Sequence, residues 1–176
     1  MKYSVFGPFL FEKIKKEIAT DRKRKSKFWA NIESAAPGLS NGIGCYIFSL
    51  ENGANSKPWY VGQTKRLSFK GEIFQKHKID HYNEVLKAHN GSIEFFLIAK
   101  RTPKGAFSKP QKGKKKTTHT DIDNVETMLI GAALNKNQNL RNVKGTKIFN
   151  RLVVPGFIND NQGKPIKSAQ YLRNLL

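Results

Sequence analysis

The chain has 176 residues, one cysteine and a formal net charge of +19, from 32 Lys and Arg against 13 Asp and Glu. That length suits one domain with a real core and is short for two. The lone Cys45 excludes an internal disulfide and a multi-cysteine zinc site and fits a reducing, cytoplasmic compartment, while the charge exceeds what solubility needs and attracts polyanions, nucleic acid first among them.

The opening segment, Met1 to Phe11, is apolar but broken by Gly7 and Pro8. It has no long apolar stretch and no small-residue cleavage site, so it does not read as a signal peptide. No apolar run of about 18 residues occurs anywhere, and a membrane partner is not expected. From Phe9 to Lys25, Leu10, Phe11, Ile14 and Ile18 recur at helical spacing and predict an amphipathic N-terminal helix. It runs into the cluster Arg22, Lys23, Arg24, Lys25. That cluster is either a solvated helix end, which the macrodipole favours, or a patch that contacts phosphates.

A turn-rich connector at 35–42 feeds the run Gly44-Cys45-Tyr46-Ile47-Phe48-Ser49-Leu50, whose aromatic and β-branched residues predict a strand. After a polar loop at 51–58, Trp59 to Thr64 predicts a second strand, antiparallel to the first. A helix is expected from Phe69 to His89, with Ile73, Phe74, His77, His81 and Val85 inward. His77 and His81 stand four apart, but no third metal ligand accompanies them. Ile93 to Ala99 is the clearest strand.

Residues 100–119 hold eight Lys or Arg and no acid, including Lys112, Lys114, Lys115 and Lys116. They predict an exposed loop, either a solvated insertion or a segment that orders along a phosphate backbone. Helix signals return at Thr120-Asp121-Ile122-Asp123, where Thr120 and Asp123 have capping-box spacing, and Ile122, Val125, Leu129 and Ala132 line one face. A last short helix is expected at 169–175. The order predicts an α+β fold with a small antiparallel three-stranded sheet flanked by helices.

No phosphate-binding glycine loop and no nucleophile elbow occur. What remains is the predicted hairpin. Gly44-Cys45-Tyr46, followed by Tyr60-Val61-Gly62-Gln63-Thr64, resembles the paired motifs of the GIY-YIG nucleases. Glu126 lies on a later helix, where that family keeps its metal-binding glutamate, and Asn142 matches its supporting asparagine. The resemblance covers residues 42–142, with 1–41 and 143–176 as extensions of a single domain. Cys45 replaces the family's isoleucine.

The resemblance implies a metal-dependent endonuclease acting on DNA in preference to RNA, with Mg²⁺ or Mn²⁺ held by Glu126. It implies Tyr46 as base or relay, a role that needs neighbouring cations to lower its pKa. Tyr60 would orient water or phosphate, with Gly62, Gln63 and Asn142 supporting. The family's arginine, about ten residues past the second tyrosine, falls on Lys70. Either Lys70 serves, or Arg66 reaches in, or activity is impaired. His77 is a candidate for proton transfer, and Lys65 and Arg66 for phosphate contact. Taken singly, Tyr46 and Tyr60 are ordinary sheet residues, Glu126 an ordinary helix residue and Asn142 a turn cap. A nucleic-acid-binding protein on a degenerate nuclease scaffold is the alternative reading.

Overall fold

The structure is a computed structural model that describes residues 2–53, 55–111, 113, 118–142 and 167–169. Its strands are β1 (Lys2–Phe11), β2 (Lys13–Ile14), β3 (Glu17–Ile18), β4 (Gly44–Asn52), β5 (Asn55–Thr64) and β6 (Ser92–Arg101). The helices are α1 (Arg22–Ala35), α2 (Phe69–Glu72), α3 (Lys76–Ala88) and α4 (Thr120–Lys136), with a 3₁₀ turn at Leu39–Asn41.

The motif strands pair as expected. β4 and β5 form an antiparallel hairpin that aligns Tyr46 with Gly62 and Phe48 with Tyr60, and β6 pairs with the other edge of β4. The expected three-stranded sheet is nevertheless wrong. The sheet has four antiparallel strands in the order β1-β6-β4-β5, and β2 and β3 form a separate two-stranded ribbon.

The fourth strand, β1, overlaps the segment expected to be helical only at residues 9–11. Of the helix predicted over 9–25 only 22–25 are helical, as the start of α1: residues 9–11 belong to β1, which pairs with β6 from Lys2 opposite Arg101 to Phe11 opposite Ile93, and Lys13–Ile14 pairs with Glu17–Ile18. β6 is apolar and buried on both faces, so its outer edge would otherwise leave a row of unpaired backbone groups. Phe6, Phe9 and Phe11 pack inward while Val5 and Leu10 face out, and of the expected helical stripe Leu10 and Ile14 are exposed and Phe11 and Ile18 are buried.

α1 starts only at Arg22. The Asp21 carboxylate caps it, accepting from the Arg24 N–H at 3.0 Å. The basic cluster therefore begins a helix rather than ending one, and the macrodipole opposes it there instead of favouring it. Arg24 is compensated by ion pairs to Glu12 at 2.8 Å and Asp21 at 2.9 Å.

Helices cover the sheet on both faces. On one, Phe28, Trp29 and Ile32 of α1, Phe69 of α2 and Tyr82, Val85 and Leu86 of α3 pack against Tyr46, Phe48, Phe95 and Leu97. On the other, α4 sets Ile122 against Cys45 and Ile98, and Ile130, Ala133 and Leu134 against Val61. Burying each of the larger side chains contributes about 1.5–3 kcal/mol. Two-sided cover explains why β4 is buried along most of its length, where a half-exposed strand would alternate.

Two further expectations change. Residues 100–108 do not form a mobile loop: the chain turns between Thr102 and Ala106, and Phe107 packs against the Arg101 guanidinium at 3.9 Å and edge-on to Phe6 at 5.7 Å. Thr120 does not cap α4, whose N-cap is His119 with no side-chain bond. The expected helix at 169–175 lies outside the described residues, apart from a helical turn at 167–169. Among the described residues no helix is long and apolar enough to cross a membrane.

Candidate active site

The two motif glycines are explained by contact. Gly44 has φ +152°, and a Cβ there would stand 2.1 Å from the Ile98 carbonyl oxygen, so β4 can lie against β6 only with glycine at this point. At Gly62, a Cβ would stand 2.3 Å from Tyr46 Cζ and 2.5 Å from its hydroxyl oxygen. The Tyr46 ring thus lies across the bare backbone of Gly62, and the pairing of β4 with β5 is what aligns them.

Tyr46 is fully buried. Its ring centroid is 6.2 Å from that of Tyr60, and its hydroxyl faces that of Tyr82 without hydrogen-bond geometry to any partner among the described residues. Burial, then the neighbouring Tyr82, Tyr60 and Glu72, push its pKa well above the ordinary value. The condition for a base, a pKa lowered by cations, is not met in this arrangement.

The cation beside the tyrosines is Lys78, not Lys70. Lys78, in the first turn of α3, donates to the Tyr60 oxygen at 2.5 Å, lies 4.9 Å from the ring centroid and sits 3.7 Å from Glu72. Lys70 is exposed on α2, on the side facing α1, where its charge acts on Glu33. His81, one turn after Lys78, stacks on the Tyr60 ring at 5.7 Å and 18°. Burial, followed by the charges of Arg141, Lys78 and His77, lowers its pKa, so it is neutral near pH 7. Its Nδ1 is buried without a partner among the described residues. His77, expected to face inward, is exposed, and among the described residues it bears on the site through its charge on Glu72 and His81.

Glu126 arrives from the opposite face. Gln63, next to Gly62 but pointing toward α4, donates through Nε2 to Glu126 Oε2 and Asp123 Oδ1, both at 2.8 Å. Lys65 adds an ion pair to Asp123 at 2.6 Å. Burial raises the Glu126 carboxyl above its usual range, and Lys78 is the strongest charge opposing that rise. Asp123 is held below its usual range: burial works against it, but the bonds from Lys65 and Gln63 prevail. Both carboxylates are hard oxygen donors, suited to Mg²⁺ or Mn²⁺. Among the described residues no three His, Cys, Asp or Glu side chains gather into a full cage. That donor set fits an ion that keeps most of its water, as Mg²⁺ does.

Asn142 closes the outer edge of β5. Its side chain accepts from the Val61 N–H at 2.8 Å and donates to the Val61 carbonyl at 2.6 Å, as a neighbouring strand would. Arg141 N–H donates to the Trp59 carbonyl at 2.9 Å, so the edge is covered up to Val61, immediately before Gly62.

Of the expected site residues, Tyr46, Tyr60, Gly62, Gln63, Glu126 and Asn142 come together around the end of β5. Lys70 and His77 do not join them. The reading missed Lys78, His81, Glu72 and Asp123. A usable signal was present: Lys78, His81 and the buried Tyr82 are spaced to share the inner face of α3, and Asp123 precedes Glu126 by one helical turn.

Among the expected phosphate contacts, Arg22, Lys23 and Lys25 stand in the first turn of α1, while Arg24 and Lys65 are engaged in ion pairs. Arg66 is exposed just after β5. Lys112, Lys114, Lys115 and Lys116 lie outside the described residues. No protein-family model matches the chain, and neither the search of curated proteins nor that of solved structures gave a match.

Proposed function

We propose that the chain is a metal-dependent endonuclease that hydrolyses phosphodiester bonds in DNA, with its reacting groups around Tyr60, Lys78, His81 and Glu126. The observation that carries the reading is the grouping of these residues about the end of β5. A phenol from β5 meets an ammonium and a neutral imidazole from α3 on one face of the sheet, and on the other Gln63 holds a half-buried carboxylate from α4 on which the Lys78 charge acts. Phosphodiester hydrolysis needs these parts: a proton acceptor for water, positive charge for the phosphoryl oxygens and a metal ligand.

His81, neutral and stacked on Tyr60, is the group able to accept the proton of an attacking water near pH 7. Lys78 holds the Tyr60 oxygen as a donor, which leaves the phenolic proton to bond a water or a phosphate oxygen. The Lys78 ammonium supplies the cation that the family resemblance assigns to position 70. Glu126, oriented by Gln63, would hold Mg²⁺ or Mn²⁺ with Asp123 beside it. A bound divalent ion would stabilise charge on the phosphoryl and leaving oxygens. Tyr46 shapes the floor beneath Gly62 rather than acting as a base.

The test is cleavage of plasmid, linear duplex, single-stranded DNA and RNA in Mg²⁺, Mn²⁺ or EDTA, with Glu126→Ala and Lys78→Met alongside. Cutting that requires metal and falls at least 10²-fold in both variants is expected. Metal-stimulated cutting that survives Glu126→Ala would refute the assignment. Binding without cutting in all three proteins would establish the binding-only scaffold, which the displaced Lys70 favours. Faster cutting of RNA would overturn the choice of substrate.

A further inference from the structure

Between α1 and α2 lies an open cleft of about 690 Å³, separate from the residues around Tyr60. Arg22 and Lys25 of α1 and Lys70 of α2 line it, over a wall that includes Trp29 and Phe74. Arg22 and Lys70 are exposed and Lys25 is partly so; among the described residues none of the three has a carboxylate within 4 Å. The acid in the cleft, Glu33, is turned to the backbone, accepting from the Gly38 and Ser40 N–H groups at 2.7 and 3.0 Å. Three cations from two elements thus face one space with no ion-pair partner among the described residues, and Glu33, the one acid lining it, acts on Lys70 only at longer range. Like charges held together repel, and the folding of α1 gains nothing from cations in its first turn. The cleft is many times larger than a single phosphate group.

We propose that this cleft seats the nucleic-acid strand beside the scissile phosphate, with Arg22, Lys25 and Lys70 each meeting a backbone phosphate. The inference rests on the nuclease reading and deepens it. It assigns Lys70 to holding substrate and gives α1 a place in the binding surface. Because the contacts are to phosphate, they add affinity without base preference and release counterions on binding.

The experiment uses the full chain in EDTA, with fluorescence anisotropy on a 30-base-pair duplex and on the single strand of the same sequence, from about 50 to 200 mM salt. The cleft variant carries Arg22→Gln, Lys25→Gln and Lys70→Gln. The charge-matched control carries Lys2→Gln, Lys104→Gln and Lys136→Gln, all exposed and distant in the sequence from the cleft. Three lost contacts reduce the slope of log affinity against log salt by about 2.7 on duplex and about 2.1 on single strand. The affinity lost across that salt range then shrinks by about 40-fold on duplex. Near-full retention of the slope by the control completes the expected result. Equal falls in both variants, or an unchanged slope in the cleft variant, overturn the proposal. If the triple variant unfolds, the single changes replace it, each expected to lower the slope by about 0.9. A cleft-dependent slope in a protein that never cuts refutes the nuclease reading while upholding the cleft. An intact chain that binds neither probe overturns both.

Discussion

Gly62→Ala provides a sharp test of the packing at the motif. The added methyl would stand 2.3 Å from Tyr46 Cζ, where ordinary contact begins near 3.4 Å, so the ring must move by about 1 Å. It has little room to do so, being fully buried beside Tyr60 and Tyr82. The φ of Gly62 lies outside the left-handed range, so the cost is steric, at about 2–3 kcal/mol, the upper part of the range for overpacking. Guanidinium denaturation of Gly62→Ala, Tyr46→Leu and the double variant measures it. Tyr46→Leu alone costs about 2–4 kcal/mol through the space it leaves. In that background Gly62→Ala should cost less than about 1 kcal/mol, because the methyl occupies vacated volume, giving a coupling of about 1–2 kcal/mol. In Tyr46→Phe the ring remains and the full cost should persist. If the costs of Gly62→Ala and Tyr46→Leu add to within about 0.5 kcal/mol, the contact is not what makes glycine necessary.

Glu126→Gln should gain stability relative to the intact chain as pH rises. Burial raises the folded-state pKa of Glu126 above 4.5, so its contribution to stability is present below that value and is lost as pH climbs through the folded value. Denaturation midpoints from pH 4 to 7 should diverge, and Mg²⁺ should raise only the intact chain; a gap independent of both would contradict the arrangement. Asp121→Asn tests the link between β1 and α4. Asp121 accepts from Lys100 and Tyr3, both at 2.6 Å, and although burial works against its charge these bonds hold it below 3.8. Its contribution is present above that value and lost as pH falls through the folded value, so the cost of about 3 kcal/mol at pH 7 should shrink toward pH 3. A cost that does not change with pH would mean that the carboxylate charge is not what matters.

Much of the candidate site was legible in the order of residues. Tyr46, Tyr60 and Gly62 needed only the pairing of the two apolar runs; the polar stretch 51–58, expected to be a loop, instead extends β4 to Asn52 and starts β5 at Asn55. Glu126 was legible because the apolar Val125, Leu129 and Ile130 marked its helix as packed. Lys78 was not, because counting along the chain reaches Lys70, whereas α2 ends at Glu72 and α3 starts afresh at Lys76. The break turns Lys70 toward α1 and brings Lys78 under Tyr60. Tyr46 shows the same limit: its residue type suits acid–base work, but full burial pushes its proton affinity the wrong way.

By itself the sequence determined the positive charge, the α+β class, the pairing of β4 with β5 and the helix that carries Glu126. These follow from local patterns: β-branched and aromatic runs, helical periodicity and turn residues. Only the tertiary structure decided that residues 2–11 form a strand. Gly7 and Pro8 break the apolar run and residues 9–11 fitted a helix, so local pattern did not mark a strand; the edge of β6, more than eighty residues away, supplied the partner that makes one. It also decided which cation reaches Tyr60 and which three face the cleft, because such meetings depend on where separate helices pack against a common sheet.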